Sequence, residues 1–221
     1  EVDNWSEARQ HIATVTAKSC LKDGESMEES ILTFWFGPDV ENIPREHALR
    51  WFRSDPSFDQ EIAQRFGKLN KAASEGAFHD WKERPRGRLA LLILLDQFSR
   101  NLFRSNPKSW ANDPLCQELA IEGVDLGQDK MLHAVERMFF YMPFQHSEAI
   151  AHQDLSVELY QGLCEEYPDL DFATRSLESA NYHRYLVQEF GRFPHRNEVL
   201  GRENTENEQA YLDNLPPGKA F

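Results

Sequence analysis

The sequence has few cysteines and no long apolar run. Its three cysteines are widely spaced and form no Cys-x-x-Cys pair, so no disulfide framework is predicted and a reducing, cytoplasmic location is expected. The longest apolar run, Leu89 to Leu95, is far shorter than the roughly 20 residues that cross a bilayer. The first 25 residues lack a basic segment followed by an apolar core, so no signal peptide is predicted.

Positive charge is also scarce. The chain has 24 Lys and Arg against 37 Asp and Glu, and its formal net charge is −13. Nucleic acids and anionic membrane surfaces both require a basic protein surface, so neither partner is expected. The basic residues are nevertheless concentrated, with a net charge of +5 over residues 82–108 and +2 over residues 183–202. This segregation indicates either an anion-attracting patch or basic helices packed beside acidic ones.

Sustained period-two alternation is absent and β-branched residues are sparse, which argues against a sheet. Helix-start signals are frequent instead. Capping boxes and pairs of a capping residue with a first-turn proline occur at 26–29, Asp55-Pro56, Asp113-Pro114 and 205–208. We therefore predict an all-α fold, an antiparallel array of helices joined by short loops.

Apolar periodicity and breakers predict where these helices lie. The run from Leu89 is apolar on every face and predicts a helix at the centre of the bundle. A helix that reaches Tyr141 is expected to end before Pro143, and Ser147 is expected to cap the next one. We predict a single domain over residues 26–214, preceded by a polar leader (1–25) and followed by a tail (215–221). The aromatic content is compatible with a homodimer but more typical of a core.

The first motif-like stretch follows the apolar run on the same helix. Asp96, Arg100 and Arg104 are spaced by four residues and share one face, while Gln97 and Asn101 share the adjacent face. A carboxylate beside seven buried apolar residues is expected to pair with an arginine, because an unpaired buried charge is costly. The stretch predicts either an arginine clamp for a ligand anion or an Asp–Arg network that joins helices.

The second stretch is Pro143-Phe-Gln-His-Ser-Glu148. His146 precedes a predicted helix N-terminus, where backbone N–H groups favour anions. His146 is a candidate acid/base, and Glu148 a candidate ligand-binding residue. The spacing to His152 is not one that metal sites use, and no metal is predicted.

The third stretch is Phe190-Gly-Arg-Phe-Pro-His-Arg-Asn197, followed by Gly201-Arg202. Gly191 permits a left-handed helix end and Pro194 stiffens the turn. The loop projects donors that either bind a ligand or cap the carbonyl end of a helix. The candidate residues here are Arg192, His195, Arg196 and Asn197.

Motifs for covalent or cofactor chemistry are missing. The chain has no G-x-S-x-G, no phosphate-binding loop and no G-x-G-x-x-G, so no nucleophile is evident and no cofactor is predicted. Side-chain donors with one or two histidines suit anion recognition, or acid/base work on a small anion, better than covalent catalysis.

Together the three stretches resemble a known family. Leu94-Leu-Asp-Gln-Phe-Ser-Arg-Asn101, the second stretch and the third stretch are similar to signature segments of the bacterial and fungal domain-of-unknown-function family 924, and Phe34-Trp-Phe-Gly37 resembles its N-terminal motif. The resemblance runs from about Ile31 to Leu212. It implies a helical fold similar to tetratricopeptide-repeat superhelices, and it implies no reaction.

Three functions remain open from the sequence. The first is a binding module for a small anionic molecule or peptide carboxylate, held by the arginines, histidines and asparagines of the three stretches. The second is an enzyme that uses His146 or His195 as general acid/base, and whether the protein is an enzyme stays open. The third is a scaffold whose motif residues only tie helices together.

Overall fold

The structure is a computed structural model that describes residues 26–215, and these residues form helices, turns and loops without a strand. The predicted all-α fold is confirmed over this range. The leader (1–25) and residues 216–221 of the predicted tail lie outside the described residues. No helix within 26–215 is both long and apolar enough to cross a membrane.

The described chain divides into two compact units. Unit 1 comprises residues 26–104 and 108–143, and unit 2 comprises residues 105–107 and 144–215. That residues 26–214 behave as one domain stays a prediction, and each unit is described by itself.

Unit 1 is built from short and medium helices around one long central helix. Its α-helices are α1 (Met27–Phe36), α2 (Arg45–Leu49), α3 (Pro56–Ser74), α4 (Pro85–Leu92), α5 (Phe98–Leu102), α6 (Asp113–Asp125) and α7 (Ala134–Gln145), the last of which carries the boundary after Pro143. Short 3₁₀ helices span His79–Glu83 and Asp129–Met131, and a third, Pro107–Trp110, begins at the last residue of the segment 105–107 that belongs to unit 2. A π-helical segment, Ile93–Gln97, joins α4 to α5. The central helix is therefore continuous from Pro85 to Leu102, and its apolar run is buried as predicted.

An aromatic cluster forms the core of unit 1. Trp35 on α1 is 1% exposed, and its ring contacts those of Trp51, Phe58, Phe98 and Phe139 at centroid distances of 5.5 to 6.3 Å. Offset and edge-to-face pairs of this kind add specificity to the apolar burial. The Phe34-Trp-Phe sequence is thus explained by packing.

The helix starts agree with the sequence at most positions. Ser26 Oγ accepts from the N–H of Glu29, and Asp55 Oδ1 accepts from those of Ser57 and Phe58. Asp113 differs, because it is the first helical residue of α6 and its carboxylate contacts Arg100 instead of capping the helix. Proline is tolerated at more than one position of the first helical turn, so the Asp-Pro pair alone does not identify the N-cap residue.

Helix α7 continues past the residue where a break was predicted. It includes Pro143 and ends at Gln145. Met138 to Phe144 are all buried, and this packing outweighs the local cost of a proline two residues before the end. The prediction of an end before Pro143 was therefore wrong.

Unit 2 contains a helical hairpin and a terminal segment. Its helices are α8 (Ile150–Glu166), α9 (Asp171–Phe190) and α10 (Glu206–Asp213), with a 3₁₀ turn at Pro194–Arg196. Helices α8 and α9 pack along each other, and Gly191 ends α9 with a left-handed φ of 70°. A small core of Leu186, Val187 and Phe193 lies under Tyr182, Phe190 and Tyr211. The tetratricopeptide-like detail stays a prediction.

The start of α8 corrects a second local prediction. Its N-cap is Ala149, whose backbone is extended, and not Ser147. Ser147 Oγ accepts from the N–H of Ala149 and contacts His152 Nδ1 at 2.9 Å. Glu148 and Ala149 lie between Ser147 and Ile150, the first residue of α8. Ser147 therefore stabilises the loop that precedes the helix.

Candidate functional site

The first motif forms a charge network within unit 1. Arg100 lies 3.2 Å from Asp96, as the four-residue spacing predicted, and its two terminal nitrogens donate to Asp113 at 3.1 Å. A further hydrogen bond runs from Arg100 to the carbonyl of Ser109 at 2.9 Å. Asp96 is 2% exposed. The cation is thus shared by two carboxylates of its own unit.

The remaining residues of the first motif also make internal contacts. Asn101 and Arg104 both donate to Asp59 on α3, at 2.7 and 2.9 Å. Gln97 donates to Asp96 and to the sulfur of Met142. These contacts tie the central helix to α3 and α6, which favours the helix-joining interpretation of this motif. A ligand-binding role for its five residues stays a prediction.

In unit 2 the second motif is a loop held by hydrogen bonds from one buried side chain. Gln153 on α8 is fully buried, and its amide donates to the carbonyls of Phe144, Gln145 and Ser147 at 2.6 to 3.1 Å. These bonds satisfy the carbonyls at the end of α7, which have no partner within the helix. The loop is thereby fixed so that His146 and Glu148 face the third motif.

Glu148 joins the two motifs. Its carboxylate accepts from both terminal nitrogens of Arg202, at 2.7 and 3.0 Å, and from the backbone N–H of Phe193 at 2.8 Å. Burial alone would raise the pKa of Glu148, but these hydrogen bonds and the nearby Arg196 outweigh it, and the pKa lies below the ordinary value. Glu148 is therefore an anion held by three donors.

Two imidazole rings and a guanidinium surround Phe193. Its ring, which is fully buried, lies 5.5 Å from that of His183 and 5.6 Å from that of His195. The guanidinium of Arg196 stacks on the same ring at 4.5 Å, and Arg196 is 7% exposed. A cation–π contact of this kind is strengthened when the cation is removed from water.

The electrostatics of His195 show which groups are close to it. Burial first, and then the charges of Arg196, His183, Arg202 and His146, lower the pKa of His195 to about 3. His195 is therefore neutral at pH 7. His146 and His195, predicted separately from the second and third motifs, lie within electrostatic reach of each other.

Arg192 and Asn197 serve the fold of the loop. Arg192 donates to both oxygens of Glu208 at 2.6 and 2.8 Å and to the carbonyl of Glu203. Glu208 is 2% exposed, and its pKa is lowered to about 2, chiefly by the hydrogen bond from Arg192. Asn197 is fully buried and donates to Asn204 at 2.8 Å. These contacts are to a carboxylate and to loop residues and not to the carbonyl end of a helix, and a ligand-binding role for both residues stays a prediction.

We call the group formed by these contacts the His–Arg cluster: His146, Glu148, His183, His195, Arg196 and Arg202. Sequence reasoning did not place His183 and Arg202 among the candidates. His183 lies in the middle of a regular helix and follows no motif, whereas Arg202 directly follows the third motif and could have been included. Within residues 26–215 no group of three or more His, Cys, Asp or Glu side chains has the geometry of a metal site.

Comparisons with known proteins agree with the resemblance seen in the sequence. The model of a bacterial family of unknown function, DUF924, matches residues 31–215. A solved structure of a protein of unknown function from Agrobacterium tumefaciens is 38% identical in sequence and similar in fold, with a TM-score of 0.72, over 85% of this chain and 97% of that one. No curated protein matches the chain.

Proposed function

Because the chain belongs to the bacterial protein family of unknown function DUF924, to which no reaction is assigned, we propose its function from geometry: the His–Arg cluster of unit 2 binds a small anion or a peptide carboxylate. The observation that carries the proposal is that Arg202 and Arg196 act on Glu148, while the same two arginines, with His146 and His183, act on His195. Arginine and histidine side chains grouped in this way attract negative charge.

Burial makes the cluster more effective than the same side chains on an open surface. Arg196 is 7% exposed and Phe193 is fully buried, so an anion beside them interacts in a medium of lower dielectric than water. A nearby anion favours the protonated form of an imidazole, so a bound ligand acts against the burial that lowers the pKa of His195.

The proximity of His146 and His195 keeps an acid/base enzyme as a second candidate. A general base works best when its pKa is close to the working pH. With a pKa of about 3, His195 is a weak base at neutral pH, so the acid/base role would fall to His146. Changing His146→Gln would then abolish turnover and leave ligand affinity nearly unchanged.

A thermal-shift experiment tests the binding proposal. The anions are sulfate, phosphate, citrate, acetate and short peptides with a free carboxyl terminus. An anion present at about 100 times its dissociation constant should stabilise the protein by about 2.7 kcal/mol. We expect this shift in the wild type and its loss in Arg196→Met, where the cation is removed and the side-chain stem is kept.

The matched control is Arg175→Met. Arg175 lies on α9 of the same unit, is 74% exposed and pairs with Asp171, so its removal should leave the shift intact. The proposal fails if no anion of the panel stabilises the wild type, or if Arg196→Met keeps the full shift. Should Arg196→Met not fold, Arg196→Lys retains the charge without the planar fork and should weaken binding.

A further inference from the structure

We propose that the guanidinium of Arg202 and the backbone N–H of Phe193 form a carboxylate subsite, which Glu148 occupies in the absence of ligand and from which a ligand carboxylate displaces it. This inference rests on the proposed function, because it specifies which anions the His–Arg cluster binds and how the site is kept closed.

The donor set has the geometry that a carboxylate requires. Arg202 offers two nitrogens, at 2.7 and 3.0 Å from the two oxygens of Glu148, and Phe193 adds an N–H at 2.8 Å. The remaining contact of Arg202, to the carbonyl of Phe193 at 3.1 Å, fixes the guanidinium against the same backbone that supplies the N–H. A planar fork with a backbone donor is a recurring way to hold the free carboxylate of a ligand.

A second carboxylate of unit 2 shows what a permanent contact looks like. Glu208 also accepts from a bidentate arginine, Arg192, and from a backbone N–H, that of Thr205 at 2.7 Å. Glu208 is 2% exposed, however, and belongs to the capping box of its own helix, α10. A solute cannot replace it without opening the helix end.

Glu148 differs from Glu208 in access and in local support. Its side chain is 29% exposed and that of Arg202 is 23% exposed, so dissolved carboxylates can reach the pair. Glu148 lies in the loop between α7 and α8, and the bonds from Gln153 hold the carbonyls of residues 144, 145 and 147 but not its own. Its side chain can therefore leave the subsite while the loop stays in place.

Positive charge surrounds the subsite whichever carboxylate fills it. Arg196 acts on Glu148 together with Arg202, so both guanidinium groups remain close to a ligand carboxylate that takes its place. The planar fork predicts a preference for carboxylates over spherical anions of equal charge, such as chloride.

Removal of the resident carboxylate tests the inference without knowledge of the natural ligand. In Glu148→Ala the subsite is vacant, and formate or acetate at about 0.1 M should raise the melting temperature well above that in sodium chloride of the same ionic strength, which screens charges equally. The matched control is Glu208→Ala, where the lost carboxylate belongs to the capping box of α10 and a smaller selective rescue is expected, because a free carboxylate does not restore that cap. The double variant Glu148→Ala, Arg202→Met should show no selective rescue.

Calorimetry with Glu148→Gln gives a second readout that does not depend on the stability of the alanine variant. The glutamine keeps the size of the side chain and removes its charge, so acetate should bind at least about tenfold more tightly than to the wild type. The inference is overturned if formate rescues Glu148→Ala no better than chloride, if it rescues Glu208→Ala equally, or if Glu148→Gln binds acetate no more tightly than the wild type. Anion binding by the wild type that depends on Arg196, together with any of these results, would retain the proposed function and remove the carboxylate subsite.

Discussion

The first motif of unit 1 and the His–Arg cluster of unit 2 place their arginines among different neighbours. In unit 1, Arg100 contacts two carboxylates, those of Asp96 and Asp113, and Arg104 shares Asp59 with Asn101. In unit 2, Arg196 and Arg202 act on Glu148, and the same arginines and two histidines act on His195. Motifs of similar composition therefore differ in their surroundings, and the neighbours of the arginines, more than the arginines themselves, separate the helix tie from the proposed site.

The largest effect should come from breaking the charge network around Arg100 in unit 1. Arg100→Met leaves Asp96, which is 2% exposed, without its cation, and loss of one partner of a buried pair costs about 3–5 kcal/mol. Urea denaturation measures this loss as a lower free energy of unfolding.

The control for that measurement is again Arg175→Met. Its pair with Asp171 is exposed on both sides, so the free energy of unfolding should change by no more than about 0.5 kcal/mol. If Arg100→Met lowered the free energy of unfolding no more than the control does, Arg100 would not stabilise the packing of these helices. The first motif would then again be a candidate ligand site.

A smaller effect, measured through pH, should reveal the burial of His195 in the His–Arg cluster of unit 2. The pKa of His195 falls from an ordinary 6.5 to about 3 on folding, so below pH 6.5 the unfolded chain takes up a proton that the folded protein does not. Stability from this residue is complete above pH 6.5 and declines as the pH falls. Between pH 6.5 and 5.5 the wild type should lose about 1 kcal/mol more than His195→Gln.

Urea denaturation at a series of pH values measures the difference. His79→Gln removes an exposed histidine of unit 1 and serves as the matched control for the substitution itself. Identical slopes for the wild type and His195→Gln would mean that His195 is not buried among cations, and the comparison between the units would lose its main support.

Local signals in the sequence predicted much of this structure. The caps at Ser26 and at Thr205 with Glu208, the left-handed end at Gly191 and the contact between Asp96 and Arg100 all involve residues within four positions of each other, or a single residue. Their geometry depends on the helix alone, so spacing is sufficient to find them.

Partners that are distant in the chain could not be predicted. Arg104 contacts a residue 45 positions away, and Arg202 contacts Glu148 across 54 positions. His183 approaches the third motif only because α9 ends and the chain turns back at Gly191. The local motifs identified His146 and His195 as candidates. Their proximity depends on contacts between residues that are far apart in the chain, which local patterns in a single sequence do not predict.

The most direct test of the central claim is an NMR titration of the histidine side chains. Imidazole ¹⁵N and ¹H signals would be followed while acetate, and separately chloride, is added at constant ionic strength. The account predicts that the signals of His146, His183 and His195 shift together and saturate with acetate, while the exposed His79 stays unchanged. No shift of the three signals with acetate, or a shift of His79 as large as theirs, would contradict an anion site at the His–Arg cluster, and equal shifts with both salts would remove the preference for carboxylates.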